Sequence, residues 1–188
     1  MDETFADLMI DYISQKGYTP NDKILFKYGF NIFTRYFLLA IVVSIFIFIH
    51  GDAQYILLFD CVVILMRFHC GGYHLKSPIN CFFVSVFVLT VMPKIILTLN
   101  IKFYCIIVLL FASVLHLSFS KSIQNSRKVI RQGLMKKIDK RKKVLLLFLS
   151  ISSILFIIVD IKYTQMCVFA LSFVSSVILL DKSAKNRR

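Results

Sequence analysis

A chain of 188 residues that is 58% hydrophobic, with a mean hydropathy of +0.77, has too few polar side chains to cover a soluble globule. About 20 apolar residues cross a bilayer, so this length allows roughly six or seven spans and excludes a large soluble domain. The net charge of +13 would suggest nucleic acid in a soluble protein, but the basic residues cluster between apolar runs, as cytoplasmic loop charge does, and no nucleic-acid partner is expected.

At the N-terminus, Phe5, Leu8, Met9, Tyr12 and Ile13 recur at helical spacing opposite Asp7, Asp11, Ser14 and Gln15, and Gly17 and Pro20 end the pattern. This predicts an amphipathic helix over 4–16. The acidic residues Asp2, Glu3, Asp7 and Asp11 argue against a signal peptide, so the N-terminus is expected to stay in the cytosol. A second helical stretch begins at Asn21, a plausible cap, with Ile24, Leu25, Tyr28 and Ile32 on one side and Lys23, Lys27 and Arg35 able to snorkel. Both stretches are expected to lie on the inner membrane surface or to pack against the bundle.

Six apolar runs follow, over 36–49, 55–66, 79–99, 103–119, 144–159 and 164–180. The first two are short for a bilayer, so flanking aromatics such as Phe30 and Phe33 extend them, or they form a re-entrant hairpin around residues 51–54. The expected fold is all-α, a polytopic membrane protein of about six transmembrane helices plus N-terminal amphipathic helices. It forms one membrane-embedded domain over 1–188, with interfacial helices over 1–35, a bundle over 36–180 and a basic tail over 181–188.

Charge sets the orientation. Segments 1–35, 67–78, 120–143 and 181–188 hold 4, 2, 10 and 4 Lys/Arg, 20 of the 23, and a cytosolic N-terminus puts all four inside. The expected location is thus the cell membrane, multi-pass, with both termini cytosolic. The Lys121–Lys143 loop, with ten basic residues and the single acid Asp139, either contacts anionic membrane lipids or docks a substrate through residues such as Lys136, Lys137, Lys140 and Arg141. No internal repeat or inverted half supports a transporter.

The segment Arg67-Phe68-His69-Cys70-Gly71-Gly72-Tyr73-His74-Leu75-Lys76-Ser77-Pro78-Ile79-Asn80-Cys81 gathers two of the four histidines, two of the five cysteines and two of the six glycines. It lies at a membrane boundary on the reducing side, where structural disulfides are not expected. The odd number of cysteines agrees, and Cys61, Cys105 and Cys167 lie within apolar runs.

Ser77 followed by Pro78 reads as a helix start, Ser77 the N-cap and Pro78 the first helical residue, which puts Cys81 in the first turn. There the positive end of the helix dipole and unpaired N–H groups favour a nucleophilic thiolate. His74, in a glycine-containing loop that can fold back, can take the thiol proton. Gly71 and Gly72 permit a sharp turn and close backbone approach, making their N–H groups candidate oxyanion donors.

Singly, each residue has a plainer role: Cys81 packing a helix start, His74 solvated in a loop, Arg67 snorkelling at the boundary. Zinc held by His69, Cys70, His74 and Cys81 is a rival chemistry, but the spacing lacks the paired short intervals of common zinc sites, so no metal is assigned. Asp60, costly inside an apolar run, pairs with Arg67 two helical turns on or joins the catalytic group. His50, His116 and Cys70 have no nameable partner and are read as structural.

Arg67, the run Gly71-Gly72-Tyr73-His74, and Cys81 after six intervening residues resemble the accessory gene regulator B (AgrB) family of bacterial membrane cysteine endopeptidases. The resemblance extends to the amphipathic N-terminus, the span count and the basic loop before the last two runs. It implies cleavage of a small AgrD-like propeptide in quorum sensing, without a cofactor. His74 and Cys81 would carry the chemistry with Arg67 and Gly72 in support, and a homodimer is implied as well. The chain departs from the family where proline is often found, near the start of the basic loop, which here reads Ser122-Ile123-Gln124-Asn125-Ser126-Arg127-Lys128. The mechanism expected is attack by Cys81 on a precursor carbonyl, a thioester acyl-enzyme, and closure of a thiolactone or lactone ring by an internal Cys or Ser. The competing class is a non-enzymatic small transporter or assembly partner in which Cys81 merely packs.

Overall fold

A computed structural model describes residues 20–70, 78–120 and 132–186, and among them every regular element is helical. In chain order the helices are α1 (Pro20–His50), α2 (Ala53–Cys70), α3 (Pro78–Thr98), α4 (Phe103–Phe119), α5 (Gln132–Val159) and α6 (Ile161–Asn186). Five are long and apolar enough to cross a membrane, and α4 is apolar over 17 residues. The protein is an all-α polytopic membrane protein, as its composition predicts. The amphipathic helix expected over 4–16 lies outside the described residues.

The chain divides into two units, residues 1–49 and 50–188. In the first, the helix expected to begin at Asn21 and the run over 36–49 are one uninterrupted helix from Pro20. No breaker stronger than Gly29 stands between them, and a single mid-helix glycine costs only about 1 kcal/mol relative to alanine. Proline leads because the first helical N–H needs no partner, so Asn21 falls inside the helix and does not cap it. The membrane-compatible part is Gly29–His50, and the second run lengthens to Ala53–Cys70. Both are long and apolar enough to span.

The second unit is organised around α6, which packs on α2, α3, α4 and α5, most extensively on α2. Thr164 through Val168 are five consecutive buried residues, followed by Ala170, Leu171, Val174, Ser175 and Ile178. A helix buried on all sides must be lined by side chains that let neighbours approach, and Thr, Cys, Ala and Ser supply that. The outer helices of this unit turn large apolar side chains such as Phe111, Phe148 and Ile158 outward, as lipid contact requires. Hydroxyls inside the helices are satisfied locally: Thr90 donates to the Val86 carbonyl at 2.7 Å and Ser153 to that of Leu149 at 2.7 Å.

Successive helices alternate in direction, so the unit has two ends. At one, Tyr55 donates its hydroxyl to Asp160 at 2.7 Å, Lys94 pairs with Asp52 at 2.6 Å, and Gln165 donates to the carbonyls of Ile96 at 2.7 Å and Leu99 at 3.1 Å. Tyr163 stacks against Tyr55 and Phe156 with centroids 4.8 Å and 5.5 Å apart. The chain enters this end at Gly51 and Asp52, both at positive φ (71° and 57°), a conformation that a glycine makes inexpensive. At the opposite end lie the C-termini of α2 and α4 and the N-termini of α3 and α5.

Candidate active site

Helix α3 starts at Pro78, where the Ser77-Pro78 pair predicts, so Cys81 stands in its first turn. Its side chain is partly exposed, and its carbonyl accepts the Ser85 hydroxyl at 2.9 Å one turn on. The thiol therefore sits at the positive end of a 21-residue helix with a route to solvent. Helix α2, which packs on α3, brings Arg67 and His69 into its own last turn at the same end. The Arg67 cation there complements the negative end of the α2 dipole. His69 is committed locally, its Nδ1 donating to the Leu65 carbonyl at 2.9 Å.

Arg67 and Cys81 thus flank the chain segment 71–77 on adjoining helices. Gly71, Gly72, His74 and Ser77 lie outside the described residues, as does the His74 to Cys81 geometry. The pairing expected between Asp60 and Arg67 does not form: no ion pair joins them among the described residues, and Asp60 Oδ1 has no hydrogen-bond partner there. Seven residues of rise put about 10 Å between the two backbone positions, more than the three- or four-residue spacing at which helix neighbours pair. All five cysteines are free thiols; Cys70 and Cys167 are buried, Cys61 and Cys105 exposed. No group of three or more potential metal ligands forms among the described residues.

Beside these helix ends, α5 presents two faces. Lys137, Lys140, Arg141, Val144, Leu145 and Phe148 line a recess of ≈ 630 Å³, cationic at its outer turns and apolar towards the membrane. Three of the four basic residues read as candidate docking positions are in it. Lys136 also belongs to α5, its side chain outside the described residues. The other face carries Lys142, Leu146, Leu149 and Ser153, all buried.

Two features here escape a residue-by-residue reading of the sequence. Lys142 is 1% exposed and donates from Nζ to the carbonyl of Ser120, the residue that ends α4. His116, read as structural, shares a 2.6 Å hydrogen bond with the buried Ser175 hydroxyl, joining α4 to α6. The second has no signal in the sequence. The first does: apolar positions at 146 and 149 extrapolate one turn back to 142 at helical spacing.

No curated protein matches the chain, and no solved structure does. The profile of the family described as accessory gene regulator B matches residues 6–180, which takes in α1 to α5 and all of α6 except its last six residues. The chain therefore belongs to the accessory gene regulator B family, membrane proteins of the agr quorum-sensing system.

Proposed function

We propose that the protein is a membrane cysteine endopeptidase that removes the C-terminal tail of a small AgrD-like propeptide and supports closure of the remainder into a thiolactone or lactone ring. The observation that carries the reading is Cys81: a partly exposed thiol in the first turn of α3, at the end of the molecule where Arg67 also stands, in a chain of this family.

His74 takes the Sγ proton of Cys81, and the thiolate attacks the scissile carbonyl carbon of the precursor. The oxyanion of the tetrahedral intermediate is met by backbone N–H groups, with those of Gly71 and Gly72 the candidates. Collapse breaks the peptide C–N bond; His74 returns its proton to the departing amine, and a thioester to Cys81 remains. The precursor's internal Cys or Ser then gives its proton to His74 and attacks the thioester, forming the ring and expelling the Cys81 thiolate beside a protonated imidazole. Arg67 and Ser77 support this site from the two helix ends, and Lys136, Lys137, Lys140 and Arg141 dock the precursor. No cofactor takes part. The charge bias puts this end on the cytosolic side of the cell membrane, with both termini there.

The test is substitution of the cysteines one at a time. Cys81→Ala should lower tail release by about 10³-fold or more, as loss of a covalent nucleophile does. Cys61→Ala, Cys105→Ala and Cys167→Ala should retain it, with membrane insertion unchanged in all four. Retained release in Cys81→Ala removes the assignment.

A further inference from the structure

The most unusual side chain at the reactive end is Lys142. A buried ammonium is costly unless it is bonded, and a methionine or leucine would fill the same volume in a face that continues as Leu146 and Leu149. What an apolar residue cannot do is donate. Lys142 Nζ donates to the Ser120 carbonyl, one of the last unpaired acceptors of α4, at the negative end of that helix. Asp139 Oδ1 stands 3.9 Å from the same ammonium. Helix α2 packs on α5 and terminates at Cys70, which is fully buried and within electrostatic reach of both Lys142 and Asp139. The buried ammonium thus lies on α5, against which the ends of α2 and α4 each pack, at the roots of both longer connections, 71–77 and 121–131.

We propose that Lys142 is a positioning residue of the peptidase reaction: by fastening the end of α4 to α5 against the end of α2, it fixes the point from which the segment carrying His74 departs. This rests on the functional reading above, in which His74 activates Cys81. Among the described residues Lys142 bonds Ser120 and Asp139 and not Cys81, so its effect on the thiol runs through His74.

The test uses the full chain in membranes and iodoacetamide as the probe, with alkylation of Cys81 and of Cys70 read separately from the masses of their peptides. Alkylation follows the thiolate fraction, so His74→Ala should slow labelling of Cys81 at neutral pH by about tenfold. Lys142→Met should reproduce most of that slowing, and the double variant should be no slower than His74→Ala alone, because the lysine works only through the imidazole. Lys142→Gln, which keeps a donor for the Ser120 carbonyl, should stay within about threefold of the parent, the spread of a retained neutral hydrogen bond. Cys70 is the internal control, since it remains unlabelled while packing at this junction holds. If Lys142→Met exposes Cys70, Lys142→Leu, matched to Leu146 and Leu149, takes its place under the same thresholds. Parent-like labelling of Cys81 in the apolar variant, or effects that multiply in the double variant, overturns the proposal and leaves the His74 to Cys81 reading standing. Absence of any effect of His74→Ala refutes that reading and this proposal together.

Discussion

At one end of the 50–188 unit the connections are the short segments 99–102 and Asp160, and Asp52, Tyr55, Lys94, Asp160 and Gln165 all have close polar partners. At the other the connections are the longer segments 71–77 and 121–131, and most of the cationic charge gathers. The first end spends its polar side chains on itself: Asp52 on Lys94, Asp160 on Tyr55 and the Lys162 backbone, Gln165 on the Ile96 carbonyl of α3 and the Leu99 carbonyl just beyond it. The second leaves Cys81 partly exposed and Lys137, Lys140 and Arg141 around an open recess. A small membrane protein that must hold a shape and also present a reactive thiol can divide these tasks between its two ends. The pairs at the closed end fix helix register, and the open end is left free for chemistry.

That division can be broken in three ways. The largest effect is all-or-none. In a background without other cysteines, Lys76→Cys and Lys136→Cys should resist an impermeant thiol reagent added to intact cells, and Asp52→Cys should react. Labelling of Lys76→Cys from outside would put the reactive end on the wrong side of the membrane. An intermediate effect is expected at Gln165. Gln165→Leu leaves the Ile96 and Leu99 carbonyls without their donor and should destabilise the detergent-solubilised protein by about 1–3 kcal/mol, read as a lower unfolding midpoint. Tail release per folded molecule should be unchanged, whereas a fall in turnover matching the fall in stability would couple the two ends.

The smallest effect concerns Asp160. The backbone N–H of Lys162, and after it the Tyr55 hydroxyl, hold its carboxyl below the usual carboxylate range. A carboxyl depressed in the folded state stabilises the fold above its unfolded pKa, and that contribution is lost as pH falls through the folded value. Asp160→Asn should therefore unfold slightly earlier than the parent at neutral pH, and the difference should close in strong acid. Because the group is only half-buried, solvent screening keeps the effect small. A gap that widens in acid contradicts the assignment of these partners.

How far these ends could be read from sequence depended on what each residue had to reveal. The run over 103–119 coincides with α4, and Ser77-Pro78 marks the start of α3, because apolar length and proline chemistry are local signals. The run over 144–159 accounts for little more than half of α5, since Lys136 through Lys143 carry charge but are good helix formers and simply continue the helix outward. The N-terminal half of α1 was legible as a helical stretch from Asn21, but its continuity with the run over 36–49 was not, because Lys23, Lys27 and Arg35 set it apart from the apolar residues that follow. Lys142 looked like one cation among many, and only the register of Leu146 and Leu149 sets it apart. The hydrogen bonds of Gln165 and His116 join residues 69, 66 and 59 positions apart, so nothing local could announce them.

The central claim is that Cys81 forms a covalent bond to the precursor, and trapping that bond tests it most directly. When the precursor's internal nucleophile is replaced by alanine, tail release should continue but ring closure should stop, and the thioester should accumulate. The predicted result is an enzyme band heavier by the mass of the truncated precursor, stable to heat and detergent, released by neutral hydroxylamine and absent from Cys81→Ala. The natural internal nucleophile would drain the band, because a tethered group of good orientation reaches an effective molarity of about 10⁵ M or more. Tail release without a trappable adduct, where hydrolysis of the thioester is independently shown to be slow, would contradict the covalent mechanism even if Cys81 proved essential.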